Sequence, residues 1–160
     1  MNINEVLDNS HVAVIQATDD LPEGMWDLPV ADGEWSSKDI LAHLTSRESL
    51  LIDVLKTFQG EQPSPYILRW LESQDRFDAD AVQSRSYQTA QEVVNEYQDA
   101  QLQSSSLLAA LSTDLVTKQD SMPWLQSSMS LADFVQSHAE HSNKHALSIM
   151  AFREKNKAME

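Results

Sequence analysis

Residues 130–153, SLADFVQSHAEHSNKHALSIMAFR, decide how the rest of the chain is interpreted. The segment opens with Ser130 and Asp133, a Ser-x-x-acid pair of the kind that caps the free amide groups at a helix start. Apolar side chains then recur at three- and four-residue intervals, as on the buried face of a helix: Leu131, Phe134, Val135, Ile149 and Phe152. The segment therefore predicts a long amphipathic helix that runs to about Arg153.

Three earlier segments have the same periodicity, and we predict helices over Asn4 to Leu21, Ser36 to Gly60 and Thr89 to Leu111. Two of them also begin with a capping box, formed by Ser36 with Asp39 and by Thr89 with Glu92. Prolines fall between these segments, and no segment alternates apolar and polar residues as a strand would. The sequence predicts an all-α fold of four long helices.

The connection between the second and third predicted helices is the longest of the three. It has about 28 residues, against the 2 to 8 that usually join helices in a bundle, and we expect a short helix or turn within it. A helix of about 22 residues is about 33 Å long, and such a connection can cross that length. The second and third helices could then run parallel, which predicts a single domain over residues 1–160 with an up-down-down-up four-helix bundle.

Charge and composition exclude several classes of function. The formal net charge is −14, which argues against nucleic acids and anionic membrane surfaces as partners, because both are bound through lysine and arginine. No segment approaches the roughly 20 apolar residues that span a bilayer. Cysteine is absent, so a bound metal would need histidine and carboxylate ligands. We expect a soluble, cytoplasmic protein whose partners are a small molecule or a second copy of the chain.

Three of the five histidines lie on the apolar face of the last predicted helix. At about 100° per residue, His138, His141 and His145 share one side of that helix. Buried imidazoles need hydrogen-bonding partners. Three histidines on one apolar stripe are therefore an unusually large number of polar groups for a protein core. Two interpretations stay open at this point, core histidines bonded to the backbone and metal ligands. Residues four apart lie about 6 Å apart and can hold one ion, so His141 and His145 are candidate ligands.

A third candidate ligand, His43, lies on the apolar stripe of the second predicted helix. In an up-down-down-up bundle the second and fourth helices are antiparallel. His43 then lies about 10 Å below the start of its helix, and His145 lies at a similar depth below the end of its own. An up-down-up-down order would leave His145 roughly 12 Å deeper than His43. The predicted topology and the predicted metal site therefore support each other.

Two motifs make the chain resemble a known family. EWSSKDILAHL at residues 34–44 and HSNKHALSI at residues 141–149 are similar to motifs of the DinB-like or YfiT-like metalloenzymes, which are related to mycothiol-dependent maleylpyruvate isomerases and bacillithiol transferases. The resemblance implies an up-down-down-up bundle, often dimeric. It also implies a divalent ion, zinc or nickel, held by His43, His141 and His145.

Several other polar and aromatic residues receive predictions of their own. His138 lies outside the family motif and could orient a ligand, bond a bound water or sit in the core. Trp35 is expected to pack at the start of the second helix, and His11 to be a surface or packing residue rather than a ligand. Glu48 and Glu140 point about 140° and 160° away from nearby histidines, so we interpret both as solvated side chains.

Three functional hypotheses follow. The first is a metal-dependent, S-transferase-like enzyme in which an external low-molecular-weight thiol attacks an electrophilic small molecule. The second is a metal-dependent hydrolase, and the third is a small-molecule-binding or stress-response bundle without catalysis. A homodimer is expected from the family and from the large apolar side chains in the connections, among them Tyr66, Trp70 and Trp124.

Overall fold

The computed structural model describes residues 2–31 and 35–157, and within them all regular secondary structure is helical. The helices are α1 Ile3–Thr18, a 3₁₀ helix Glu23–Met25, α2 Ser37–Thr57, α3 Pro65–Glu72, α4 Gln74–Ser84, α5 Ala90–Ala109, α6 Thr113–Thr117 and α7 Leu131–Lys155. The only β pairing among these residues is an isolated bridge between Pro29 and Ser36. The all-α prediction is confirmed.

Capping side chains set the starts of the long helices. In α2 the Ser36 hydroxyl accepts a hydrogen bond from the Asp39 amide at 3.1 Å, and the Ser36 amide donates to the Asp39 carboxylate at 3.2 Å. The same reciprocal pairs cap α5 and α7, and the Asn2 side chain caps α1. The predicted starts are therefore correct to within one residue, because a cap is a local interaction between residues three apart.

The predicted ends of the first three helices are two or three residues too late. α1 ends at Thr18 instead of Leu21, since the backbone of Asp19 is extended and Asp20 has a φ of 53°. α2 ends at Thr57, three residues before Gly60, whose φ of 96° lies in the region that favours glycine. Apolar periodicity continues past both ends because the following turns still face the core.

The long crossover between α2 and α5 contains two helices, α3 and α4, where the sequence predicted one short helix or a turn. Both pack against α2. Arg47 on α2 donates two hydrogen bonds to the Asp78 carboxylate on α4, at 2.9 and 2.8 Å. The Tyr66 hydroxyl on α3 donates to Ser46 on α2 at 2.9 Å. These contacts hold the crossover against the N-terminal and middle turns of α2.

Two apolar clusters define the directions of the long helices. One joins the C-terminal halves of α1 and α7 to the N-terminal halves of α2 and α5, and its buried members include Val14, Ile149, Leu41 and Val93. The other joins the four opposite halves, through Leu7, Val135, Val54 and Leu108 among others. α1 and α7 therefore run one way and α2 and α5 the other, which confirms the up-down-down-up order.

Tyr66, Trp70 and Trp124 are partly buried against the second apolar cluster of their own chain. Each of the three also keeps part of its surface exposed. The dimer itself stays a prediction. No helix in the described residues is long and apolar enough to cross a bilayer.

Candidate metal centre

Three imidazoles from α2 and α7 converge between the helices. The Nε2 atom of His141 lies 3.1 Å from Nε2 of His43 and 3.2 Å from Nε2 of His145. One ring nitrogen from each residue lies within 4.8 Å of those of the other two. His43 is buried, and the other two rings are half-buried. The structure thus brings together all three residues that the sequence selected as metal ligands.

The donor set fits a divalent ion. Zn–N bonds of about 2.0–2.1 Å in a tetrahedral site place two ligand nitrogens ~3.3 Å apart, close to the two Nε2 separations seen here. Burial, followed by the neighbouring His43 and His145, lowers the pKa of His141 to about 3. Burial and then His43 and Lys144 lower the pKa of His145 to about 4. Both rings are therefore neutral at physiological pH and keep the lone pairs that a metal requires.

Asp78 on α4 contacts the other nitrogen of His43, and sequence reasoning missed this residue. Its Oδ1 atom lies 3.2 Å from His43 Nδ1, although the pair is not ideally aligned for a hydrogen bond. Burial alone would raise the pKa of Asp78, but the neighbouring His43 and the hydrogen bonds from Arg47 outweigh burial and lower the pKa to about 2. A carboxylate at Nδ1 favours the tautomer whose proton is on Nδ1 and whose lone pair is on Nε2.

Trp35 packs where the sequence placed it, at the start of α2. Its ring centroid lies 4.9 Å from that of His43. The indole therefore covers one side of the histidine cluster and limits how the His43 ring can rotate.

A second polar cluster lies within the bundle and is built around Glu48. The side chain of Glu48 is fully buried. One carboxylate oxygen accepts from His11 Nε2 at 2.8 Å and from the Ser104 hydroxyl at 2.7 Å. The other oxygen accepts from His138 Nε2. Burial alone would raise the pKa of Glu48, but its electrostatic and hydrogen-bonding contacts with His138 and His11 outweigh burial and hold the pKa well below its usual range.

The Glu48 cluster corrects one prediction and decides between two others. Glu48 was interpreted as a solvated side chain, but α2 is buried around most of its circumference because α3, α4, α5 and α7 all pack on it. On such a helix, the angle between Glu48 and His43 does not show whether Glu48 faces solvent. His11 is buried, with 2 % of its surface exposed, so of the two alternatives predicted for it the packing residue is confirmed and the surface residue is wrong. Glu140, in contrast, is exposed as predicted.

A cavity of about 420 Å³ opens beside the histidine cluster. Its polar lining includes His141, His138 and Arg47, and its apolar lining comprises Leu50, Trp70, Leu125, Met129 and Phe134. The volume lies within the 300 to 1,000 Å³ that is usual for small-molecule sites. His141 belongs both to the three-histidine cluster and to the cavity wall, so a molecule in the cavity would reach the cluster.

The fold is an up-down-down-up helical bundle, and three imidazoles on its second and last long helices converge in the interior. These two features define a class of helical-bundle proteins with a candidate metal site. Residues 7–149 match the family model of the DinB superfamily, and the chain belongs to that superfamily. No curated protein matches the chain in sequence.

Solved structures share the fold at low sequence identity. YfiT from Bacillus subtilis, described as a probable metal-dependent hydrolase with an unusual four-helix bundle topology, is 17% identical, with a TM-score of 0.69, over 97% of this chain and 86% of that one. An uncharacterised protein from Escherichia coli UTI89 is 12% identical, with a TM-score of 0.79, over 97% and 92% of the two chains. One from Clostridium difficile 630 is also 12% identical, with a TM-score of 0.78, over 95% and 94%.

Proposed function

We propose that this protein is a metal-dependent hydrolase of a small molecule, with a divalent ion, zinc or nickel, held by His43, His141 and His145. The observation that carries the proposal is the position of His141, which lies in the three-histidine cluster and in the wall of the 420 Å³ cavity. The description of YfiT as a probable metal-dependent hydrolase supports it.

The three histidines leave part of the coordination shell of an ion open, as catalytic sites do and closed structural sites do not. A divalent ion there would supply a Lewis acid that polarises a substrate carbonyl and lowers the pKa of water. Asp78 orients His43, and Trp35 restricts the His43 ring. The residues of the chain thus hold a neutral donor set in place beside a cavity.

The cavity lining supports a substrate with an apolar part, which would contact Phe134 and Met129. Arg47 already forms a two-bond pair with Asp78, so its charge is largely neutralised and is not free for an anionic substrate.

Thiol-dependent S-transfer, predicted from the family resemblance, is the second candidate. The apolar and aromatic half of the cavity favours it, because such a surface also suits a hydrophobic electrophile. The chain has no cysteine, so the thiol would have to be a cosubstrate.

The test begins with the metal. The change His145→Ala removes one of three ligands, and we expect it to weaken zinc or nickel binding more than about 100-fold, beyond the 10–100-fold typical of groups that only orient a ligand. Calorimetric titration of the metal-free protein measures this. Gln136→Ala, an exposed residue on the same helix, is the control. Full metal occupancy in His145→Ala would contradict the assignment.

The reaction is tested next, with the metal-loaded protein and panels of activated esters, amides and lactones, and separately with thiols plus epoxide or alkyl halide electrophiles. Metal-dependent hydrolysis would support the proposal, and turnover that requires a thiol would favour the second candidate. Stoichiometric metal binding without turnover in either panel would favour the non-catalytic binding bundle.

A further inference from the structure

His138 has a fixed orientation that its neighbours impose. The two oxygens of Glu48 together accept hydrogen bonds from His11, Ser104 and His138. An ionised carboxylate can only accept, so the Nε2 of His138 must carry a hydrogen and donate it. In the neutral ring the lone pair then lies on Nδ1. Among the described residues, none hydrogen-bonds to that Nδ1.

The same side chain reaches the cavity. His138 and His141 both line it, and three residues along a helix separate them by about 4.5 Å of axial rise. His138 lies outside the group of three that could hold an ion. The cavity therefore has a candidate metal ligand and a second, carboxylate-bound imidazole one turn apart.

We propose that His138 is the general base of this site, with its Nδ1 directed to the cavity and Glu48 as the residue that positions it. The inference rests on the proposed hydrolase function. When water attacks the carbonyl carbon of an ester or amide, one O–H bond breaks and its proton moves to Nδ1. When the bond to the leaving group breaks, that group takes the proton from Nδ1, and His138 returns to its neutral form.

Glu48 has two effects on His138 in this scheme. Its hydrogen bond selects the tautomer that presents Nδ1, and its charge stabilises the imidazolium after proton transfer, as a buried carboxylate does in serine hydrolases. His11 and Ser104 fix the carboxylate in turn. The other charged or titratable groups facing this region are Arg47 on α2, His141 on α7 and, beyond Glu48, Tyr97 on α5.

The first test reads the tautomer directly. In two-bond ¹H–¹⁵N correlation spectra of histidine-labelled protein, we expect His138 to have its proton on Nε2 and a free Nδ1, both without metal and with one equivalent of zinc. His43, His141 and His145 should shift on zinc addition while His138 does not take the signature of a ligand. A proton on Nδ1, or zinc coordination by His138, would overturn the proposal.

The second test uses p-nitrophenyl acetate and the zinc-loaded protein. A general base typically contributes 10²- to 10⁴-fold, so we expect His138→Gln to lower kcat at least about 100-fold. KM and the zinc content should stay unchanged. Gln136→Ala, an exposed residue on the same helix, is the control for a change on α7 outside the site. Undiminished kcat in His138→Gln would refute the base assignment.

Glu48→Gln keeps the size of the side chain and one accepting oxygen but replaces the other oxygen by an amide NH₂ donor, and it is the variant to use if His138→Gln unfolds. Loss of the charge should move the acidic limb of the kcat profile to lower pH, which a purely structural residue would not do. An unshifted profile would refute the positioning role. Absence of turnover in the zinc-loaded parent would count against the proposed hydrolase, whereas the spectra test the placement of His138 by themselves.

Discussion

At the residue scale, the orientations of His43 and His138 depend on carboxylates that the motifs do not contain. Asp78 contacts His43 Nδ1, and Glu48 contacts His138 Nε2. The two carboxylates therefore leave different ring nitrogens free, Nε2 of His43 and Nδ1 of His138. This difference explains why His43 can join the three-histidine cluster while His138 faces the cavity as a separate group.

The role of Asp78 can be tested by the change Asp78→Asn. An amide no longer stabilises the proton on His43 Nδ1 as a carboxylate does, so zinc affinity should fall about 10–100-fold, as for other groups that orient a metal ligand. Titration calorimetry measures the loss. Asp80→Asn, an exposed residue on the same helix, should bind zinc like the parent. Unchanged affinity in Asp78→Asn would remove Asp78 from the metal centre.

At the element scale, α2 is the centre of the molecule and α7 is the element that presents the site. α2 packs against α5 and supports both crossover helices, so polar residues at several angles on it are buried. α7 carries His138, His141 and His145 along one side, and its start is fixed by the box of Ser130 and Asp133. The site lies where α7 packs against α2, away from the cap at the start of α7. Its position therefore depends on the packing of these two helices.

This separation predicts the effect of Ser130→Ala. The Ser130 hydroxyl accepts from the Asp133 amide at 3.1 Å, and loss of such a cap costs about 1 kcal/mol, with a range of roughly 0.5–2. The free energy of unfolding, from urea denaturation, should fall by that amount while zinc affinity stays the same. Ser148→Ala, an exposed serine later in α7, should change neither quantity. A large loss of zinc affinity in Ser130→Ala would show that the site depends on this cap.

At the scale of the whole molecule, the bundle has a polar interior between two apolar clusters, and this arrangement makes the stability sensitive to pH. His141 and His145 have pKa values of about 3 and 4 in the folded protein, below the ordinary value of 6.5. The unfolded chain therefore binds more protons than the folded one as the pH falls below about 6.5, and the free energy of unfolding should decrease.

Urea unfolding of the metal-free protein between pH 7 and pH 5 tests this prediction. That window lies above the ordinary pKa of 4.5 for Glu48 and 3.8 for Asp78, whose lowered pKa values contribute stability that is lost only at more acidic pH. The double change His141→Gln, His145→Gln should weaken the dependence on pH, whereas Gln136→Ala, an exposed residue on the same helix, should not. An equal slope in the double variant would contradict the neutral state of these rings.

The oligomeric state is also a property of the whole molecule. We expect a homodimer from the family resemblance and from the half-exposed Tyr66, Trp70 and Trp124. Sedimentation equilibrium should give twice the mass of the chain at micromolar concentration. A monomer mass across the concentration range would refute the dimer.

The sequence alone determined the features that depend on residues close together along the chain. Capping boxes and apolar periodicity predicted the starts of the helices and the all-α class, since both arise within one or two turns. The long connection between the second and third helices predicted the up-down-down-up order. The matching depths of His43 and His145 supported it, because residues at equal depth on neighbouring antiparallel helices lie close together, and the family resemblance implied the full set with His141.

The tertiary structure alone decided which other residues join the site. Asp78 lies 35 residues after His43 on a crossover helix, and Glu48 meets His11, Ser104 and His138 from three other helices. No local pattern encodes such contacts, because they depend on how separate helices pack together. An acidic residue on a helix is interpreted as solvated until its neighbours are known, and on α2 those neighbours surround the helix on most sides.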